Sequence, residues 1–448
     1  MKKNSFQKFY KTLSNYSKIN TIKGYRIAKA KGKLYNLEEI KEEITNSQIK
    51  NFNSEREIVL RQFLLRYLMS YRFNIAFFKS FAKKSSIIYP LTDEWIKVIE
   101  RNGYKVNYFL SKILLFIFST IFYFKSFKTF FSLLFYSGSI FPKSDFVYFN
   151  NLSANNLPIG SQNSYDIFSW YCKKYQKNKK EISFVVNFKF NKNEITNNFN
   201  IYQNRYCFPS LNIFKKLKLC QKFLILILKN FFWLIIFNWK KIILTDEKIY
   251  CIYVDLLKKN DLASEYWFNI SEFVYRPLWT YLIENHSKII LYNYSCSFLG
   301  HKLFNKYRPE EVGIGSMNWP YVLQWSKKYN EYLIEKTSKT ISYKLVEPIW
   351  FSDKKINLNL NNNKKSLVIF DVTPSNFLRM CELNYNIYRN NKCAKLFIKD
   401  ILEVSNNLNL SVYIKLKREL NLNYHSKIYS SFINEIQNLN IINFVDSK

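Results

Sequence analysis

The 448-residue sequence predicts an α/β protein with parallel, Rossmann-type sheets in two lobes, preceded by a basic helical N-terminal region. Short apolar strands alternate with helical segments over residues 145–294, and the same alternation returns after residue 366. Between the two series, Asn357–Lys365 is polar and has the composition of a linker. We therefore predict an N-terminal region over 1–85, a first lobe over 86–356 and a second over 366–448.

The segment after the linker has the clearest pattern. Ser366–Val372 is a short apolar run, Leu410–Leu416 alternates strictly, and Ile441–Val445 is a third strand-like run. Apolar residues fall at helical spacing from Ala394 and again up to Ile436. The resulting β-α-β-α-β order is one half of a doubly wound sheet. Because the sequence stops three residues after the last strand, we expect this lobe to be short or incomplete.

Upstream, Thr92 is placed to cap a helix that ends at Asn102-Gly103, with Asp93 and Glu94 in the first turn. Trp95, Val98 and Ile99 would form its buried stripe. The remaining elements predicted for the first lobe are strands over Asp145–Leu152, Glu181–Asn187, Lys240–Thr245 and Ser287–Tyr294, and a helix over Phe168–Tyr175.

Composition excludes several classes. Hydrophobic residues make up 48% of the chain, which is too many for a disordered protein. The seven cysteines are scattered without a CxxC pair, so we expect neither a disulfide framework nor a zinc module. The first 35 residues are polar and basic and do not have the form of a signal peptide. These features favour a reducing, cytoplasmic location.

The formal net charge of +35 has two explanations. One is a polyanionic partner, such as an anionic membrane, a nucleic acid or a phosphorylated substrate. The other is codon composition, because Lys, Asn, Ile, Phe and Tyr all have AT-rich codons. Apolar runs interrupted by lysines occupy 113–124, 129–141 and 223–239. They are predicted to be buried core helices or helices lying in a membrane interface, with no spanning helix.

A family resemblance runs from about residue 85 to the end. It is carried by the segments DFVYFNNL, SYDIFSWY, GSMNWPYVLQW, ISYKLVEPIWFSD, LVIFDVTPSN, CAKLFIKDILEV and YIKLKRE. In these segments the chain resembles bacterial surface-polysaccharide (capsule or lipopolysaccharide) biosynthesis proteins with a two-lobed, GT-B-like glycosyltransferase architecture. The resemblance implies transfer of a nucleotide-activated sugar to a glycan or lipid-linked acceptor, by a protein peripheral to the inner face of the cell membrane. Such proteins continue into a further donor-binding loop, so we expect little or no turnover from this chain alone.

The candidate donor-phosphate site lies at the carboxyl ends of two strands in the second lobe, where doubly wound sheets bind ligands. The loop after the first strand could present a helix N-terminus to a phosphate, and the end of the next strand is basic. The alternative is an ordinary capped turn and a solvated lysine-rich edge. The residues predicted for this site are Thr373, Ser375, Asn376, Lys415, Lys417 and Arg418.

An acceptor pocket is predicted at Gly315, Asn318 and Trp319, with Trp325 as a second aromatic; the alternative is a simple connection. The three histidines and Asp371 are better explained as structural, so the catalytic residues are left unassigned. Motifs for dinucleotide, P-loop, zinc-protease and serine-hydrolase chemistry are missing, and we expect no metal or cofactor.

Two other interpretations remain. Basic charge with many aromatics also suits a single-stranded nucleic-acid-binding protein, although no RRM, KH, helix-turn-helix or zinc-finger pattern is present, and no specific nucleic acid is expected. The second of these other interpretations is an inactive, truncated remnant of such a protein.

Overall fold

The chain divides into two compact units. The computed structural model describes residues 54–68, 85–138, 145–150, 167–187, 199–269, 275–292, 316–337, 342–346, 365–371, 391–415, 427–438 and 443–445, parts of 37–44, 72–80 and 302–307, and residues 141, 142, 152 and 374. The larger unit comprises Tyr35–Met69 and Lys84–Lys354, and the smaller comprises Met1–Leu34, Ser70–Lys83 and Lys355–Lys448. Residues 35–69 thus join the larger unit; the domain boundaries at 85 and 366 stay a prediction.

The larger unit is a mixed α/β structure. Its helices are α1 (Glu55–Leu68), α2 (Asp93–Arg101), α3 (Tyr108–Leu134), α4 (Ile167–Tyr175), α5 (Ile213–Ile235), α6 (Trp239–Ile242), α7 (Thr245–Asp255), α8 (Thr280–Ile283) and α9 (Lys327–Lys336). Its main strands are β1 (Phe146–Asn150), β2 (Ser183–Val186), β3 (Asn200–Gln203), β4 (Glu265–Phe268), β5 (Lys288–Tyr292), β6 (Tyr321–Gln324) and β7 (Ser342–Leu345). A short antiparallel pair joins Lys302–Leu303 to Lys306–Tyr307.

The seven main strands form one parallel sheet in the order β3-β2-β1-β4-β5-β6-β7. The first six follow the order of a doubly wound Rossmann sheet, and β7 adds a seventh at one edge. Chain progression reverses between β1 and β4, where the register pairs Asn150 with Phe268. The parallel α/β class predicted from the sequence is confirmed.

Both faces of this sheet are buried. Phe146, Tyr148, Tyr266 and Phe268 point into one core together with residues of α3, α5, α7 and α9. The intervening residues, including Trp267, point into a second core that contains one face of α4. This two-sided burial explains why the strands are continuous apolar runs without polar alternation.

The helix predicted after Thr92 forms as expected. The Thr92 hydroxyl accepts a hydrogen bond from the backbone N–H of Trp95 at 3.3 Å, and Trp95, Val98 and Ile99 are buried. Gly103 ends the turn with φ +82°, a left-handed conformation that favours glycine.

One expectation from the sequence is wrong. Lys240–Thr245 is no strand: it contains the last three residues of α6, a turn and the first residue of α7. Ile242, Ile243 and Leu244 are fully buried, and so short an apolar run does not distinguish a strand from a buried helical turn. The run 113–124 and the first part of the run 129–141 lie on one helix, because α3 continues through Lys125 and Lys128. Both lysines lie on its exposed side, where they do not interrupt the helix.

In the smaller unit, β8 (Ser366–Phe370), α10 (Asn391–Asn407), β9 (Ser411–Lys415), α11 (Lys427–Asn438) and β10 (Asn443–Val445) form the predicted β-α-β-α-β unit. The strands are parallel in the order β8-β9-β10. One face carries the core, in which Ile369, Val412 and Ile414 pack against the two helices. On the opposite face, Phe370 is 74% exposed.

Candidate functional site

An asparagine lies at the carboxyl end of each of the first four strands of the large sheet. Asn150 is the last residue of β1, and Asn187, Asn204 and Asn269 directly follow β2, β3 and β4. Parallel strands bring these residues to one edge, because all their carboxyl ends point the same way. We call Asn150, Asn187, Asn204 and Asn269 the asparagine edge.

The side chains of the asparagine edge are held by one another and by tyrosines. The Asn187 amide donates to Oδ1 of Asn150 at 2.9 Å, linking β2 to β1. The Tyr136 hydroxyl donates to Oδ1 of Asn204 at 3.1 Å. Beside the switch point, Asn269 lies next to Tyr292, the last residue of β5, and acts on its hydroxyl. Asn150, Asn187 and Asn269 are partly exposed and remain within reach of a ligand.

The asparagine edge is uncharged. Burial raises the pKa of Tyr136 to about 12, and burial also raises the pKa of Tyr292, against the opposing effect of the neighbouring Asn269. Both tyrosines therefore stay neutral near pH 7. Among the described strand ends of the large sheet none is Asp, Glu or His, so this edge offers hydrogen-bond donors and acceptors without a base. Such groups suit sugar hydroxyls.

Asn318 and Trp319, predicted as an acceptor pocket, lie at the other edge of the sheet. Both precede β6, whereas Trp325 follows it, so the whole strand, roughly 13 Å long, lies between the two tryptophans in the chain. Trp319 is fully buried against Phe268, with 5.2 Å between the ring centroids. Gly315 lies outside the described residues, and the acceptor role of all three stays a prediction.

An arginine-centred network holds Asn318. Its carbonyl accepts from the Arg276 guanidinium at 2.9 Å, and its amide donates to the Tyr281 hydroxyl at 3.1 Å. Arg276 lies 3.7 Å from the Tyr281 ring centroid and pairs with Glu284. With only 2% of its surface exposed, Arg276 is saturated by protein groups and serves as a structural anchor.

In the smaller unit, Lys415 alone of the predicted donor-phosphate residues is described. It ends the central strand β9, in register with Phe370 of β8 and Val445 of β10. Its carbonyl accepts from the Asp371 backbone N–H at 2.9 Å. Lys415 thus lies at the carboxyl edge of the sheet, on the face opposite Ile414 and the two helices. Thr373, Ser375, Asn376, Lys417 and Arg418 lie outside the described residues.

Asp371 faces the core side of the same edge. Its Oδ1 accepts a 2.7 Å hydrogen bond from the Tyr429 hydroxyl of α11. Burial first, and then the neighbouring Asp371 carboxylate, raise the pKa of Tyr429. Asp371 is 8% exposed, which agrees with the structural role expected from the sequence.

The family model for polysaccharide biosynthesis PFTS motif proteins matches residues 225–448. The chain belongs to this family. The matched segment begins within α5 and includes β4–β7 of the large sheet and all three strands of the small one. Family membership confirms the polysaccharide biosynthesis role that the resemblance implied.

No curated protein matches the chain. Among the described residues, no group of three or more His, Cys, Asp or Glu side chains could hold a metal ion.

The asparagine edge was missed in the sequence, although a signal for it exists. FVYFN, SFVVN, IYQN and YWFN each end an apolar run in asparagine, as does KIILYN at Asn293, which lies outside the described residues. Asparagine is so frequent in this chain that no single asparagine is informative. The informative signal is that an asparagine recurs at the end of successive strands.

Proposed function

We propose that this protein is a GT-B-like glycosyltransferase of surface-polysaccharide biosynthesis that transfers a sugar from a nucleotide-activated donor to a glycan or lipid-linked acceptor. The observation that carries the proposal is the family match, which spans strands from both parallel sheets. Doubly wound sheets bind ligands at the carboxyl ends of their strands. At that edge the larger unit carries the neutral asparagine edge, and the smaller unit carries the basic Lys415.

The smaller unit supplies the donor side. Lys415 offers an ammonium group at the carboxyl edge, and stabilising charge on a diphosphate leaving group is a main requirement of the reaction. The proposed site also includes the residues predicted from the sequence: Thr373, Ser375, Asn376, Lys417 and Arg418.

The asparagine edge of the larger unit supplies the acceptor side. Amides donate and accept at once, which matches the hydroxyls of a sugar. The partly exposed residues Asn150 and Asn269 lie at the ends of the neighbouring strands β1 and β4, at the switch point where the crevice of such sheets opens.

Calorimetry with uridine, guanosine and cytidine nucleotides tests the donor side. A nucleoside diphosphate should bind, and Lys415→Ala should weaken binding at least about tenfold, since a hydrogen bond to a charged group contributes roughly 1.5–3 kcal/mol. Lys399→Ala, on the exposed side of α10, is the matched control and should leave binding unchanged. Equal losses in both variants, or no binding of any nucleotide, would refute the donor assignment.

Calorimetry with glycan acceptors tests the acceptor side and does not depend on turnover. Asn187→Ala should weaken acceptor binding and leave nucleoside diphosphate binding intact. The exposed turn residue Asn178 provides the control substitution Asn178→Ala. A loss of nucleotide binding in Asn187→Ala would contradict the proposed division of roles.

A further inference from the structure

Helices α3 and α5 form an antiparallel pair in the larger unit. The Phe130 and Phe223 rings stack with centroids 3.7 Å apart, while Phe116 meets Phe237 at 4.5 Å. Between these contacts, the Tyr123 hydroxyl donates to the Ile227 carbonyl at 3.5 Å. The early part of α3 therefore lies beside the late part of α5.

The inner face of α3 is buried along its whole length. Its buried residues begin at Ser111, recur at Leu115 and Ser119, and continue to Leu133. Phe122 contacts Phe63 of α1 at 4.7 Å, and Phe130 and Leu133 belong to the sheet core. The helix thus lies flat along the unit from end to end.

The outer faces of both helices are apolar and exposed. Phe109, Phe124, Phe214 and Phe237 are 70%, 62%, 73% and 69% exposed. Other members of this surface are Ile113, Ile117, Ile121, Phe131, Leu217, Leu224, Ile225, Leu228, Phe231, Phe232, Ile235 and Ile236. We call these residues and the four phenylalanines the apolar face. So large a contiguous apolar surface indicates an interaction site.

Positive charge accompanies the apolar face. Neither helix contains Asp or Glu. Lys125, Lys215 and Lys222 pair with Asp246, Asp261 and Asp255 of neighbouring segments. Within the described residues, the exposed Lys128, Lys218 and Lys229 form no ion pair. Exposed rings and free ammonium groups together match the boundary between acyl chains and anionic headgroups.

We propose that the apolar face docks α3 and α5 side by side into one leaflet of an anionic phospholipid bilayer, in the plane of the membrane. By length and composition α3 is long and apolar enough to cross a membrane, but the core helix of a soluble protein meets the same criteria. Its continuous buried face favours the in-plane arrangement, because a helix that crossed the bilayer would lose its packing contacts with the rest of the larger unit. A second copy is disfavoured, since the unpaired lysines of two such faces would meet.

Vesicle flotation tests the docking without any need for catalysis, so its outcome is separate from that of the proposed function. The protein should float with vesicles containing phosphatidylglycerol and only weakly with pure phosphatidylcholine. Lys218→Gln and Lys229→Gln should each weaken binding about fivefold, the effect of one basic residue near an anionic surface.

The double substitution Ile117→Glu with Leu228→Glu should reduce flotation at least tenfold. Ile334→Glu is the matched control: this α9 residue of the same unit is 56% exposed but lies outside the apolar face. Circular dichroism checks that both variants fold. Undiminished flotation of the double variant would overturn the proposal.

Two further outcomes would also overturn it. Retention in the membrane after carbonate treatment would mean that the helices cross the bilayer. A dimer in solution that the double variant abolishes, without flotation of the wild type, would mean that the apolar face is a self-association surface.

Discussion

The two parallel sheets differ in how they are covered. In the seven-stranded sheet, neighbouring residues such as Tyr266 and Trp267 enter separate cores on opposite faces. In the three-stranded sheet, Ile369 and Ile414 enter one core, and the adjacent Phe370 is 74% exposed. Polar residues end the strands of both sheets, so the strand ends can carry function whether one face or two are packed. The free energy of unfolding should instead depend on whether one or both faces of the sheet are packed.

The largest effect is expected from Trp267→Ala. Trp267 is fully buried, and its indole N–H donates a hydrogen bond to Glu265 at 2.8 Å. Its ring centroid lies 5.4 Å from that of Phe149 and 5.6 Å from that of Tyr292. Truncation should cost roughly 3–5 kcal/mol of unfolding free energy. Urea unfolding followed by hydrogen-exchange mass spectrometry should show the loss in the larger unit, and an equal loss in β8–β10 would show that the two units unfold together.

Tyr429→Phe should affect the smaller unit by about 1–3 kcal/mol, because the buried Asp371 carboxylate loses a donor. The wild type also has a pH signature here. The folded pKa of Tyr429 is raised, so its contribution is present below the unfolded pKa of about 10 and is lost as pH rises beyond it. The phenylalanine variant should lack this alkaline loss in hydrogen exchange of α11.

Lys248 gives the larger unit the opposite pH dependence. Its ammonium donates to the Lys241 carbonyl at 2.7 Å, and burial lowers its pKa to about 7. The folded state therefore releases a proton that the unfolded state keeps up to about pH 10.4, and stability rises between these values. Lys248→Met should remove this rise, at a cost of about 1 kcal/mol for the lost hydrogen bond. The exposed Lys240→Met control should keep the rise in pH-dependent urea unfolding.

The smallest effect is expected at the uncovered face of the small sheet. Phe370→Ser should change the unfolding free energy by no more than about 0.5 kcal/mol, as exposed substitutions usually do. A loss above 2 kcal/mol in thermal unfolding would show that this face is covered in solution, and the contrast between the two sheets would disappear.

Much of the fold follows from periodicity. SVYIK and SFVVN predict strands because their alternation or continuous apolarity matches a sheet with one or two buried faces. The failure at Lys240–Thr245 has a physical cause: the Thr245-Asp246-Glu247 signal for a helix start directly follows a buried turn that resembles a strand.

The sites were harder to predict. Lys415 could be placed at a strand end because β9 alternates so strictly. Asn150 and Asn269 are 119 positions apart in the sequence, and only strand order shows that they share an edge. Trp319 packs in the core against Phe268, a contact between strands that sequence spacing does not show.

The neutrality of the asparagine edge has a consequence in a protein of net charge +35. Salt weakens the attraction of exposed lysines for anionic surfaces and phosphates, but it acts little on hydrogen bonds between uncharged amides and hydroxyls. Under the proposed membrane docking and donor assignment, ionic strength would act on where the protein resides and how firmly it holds a donor, and would leave acceptor choice untouched. A change of salt or anionic-lipid content would then alter the rate of the proposed transfer without changing the glycan that is made.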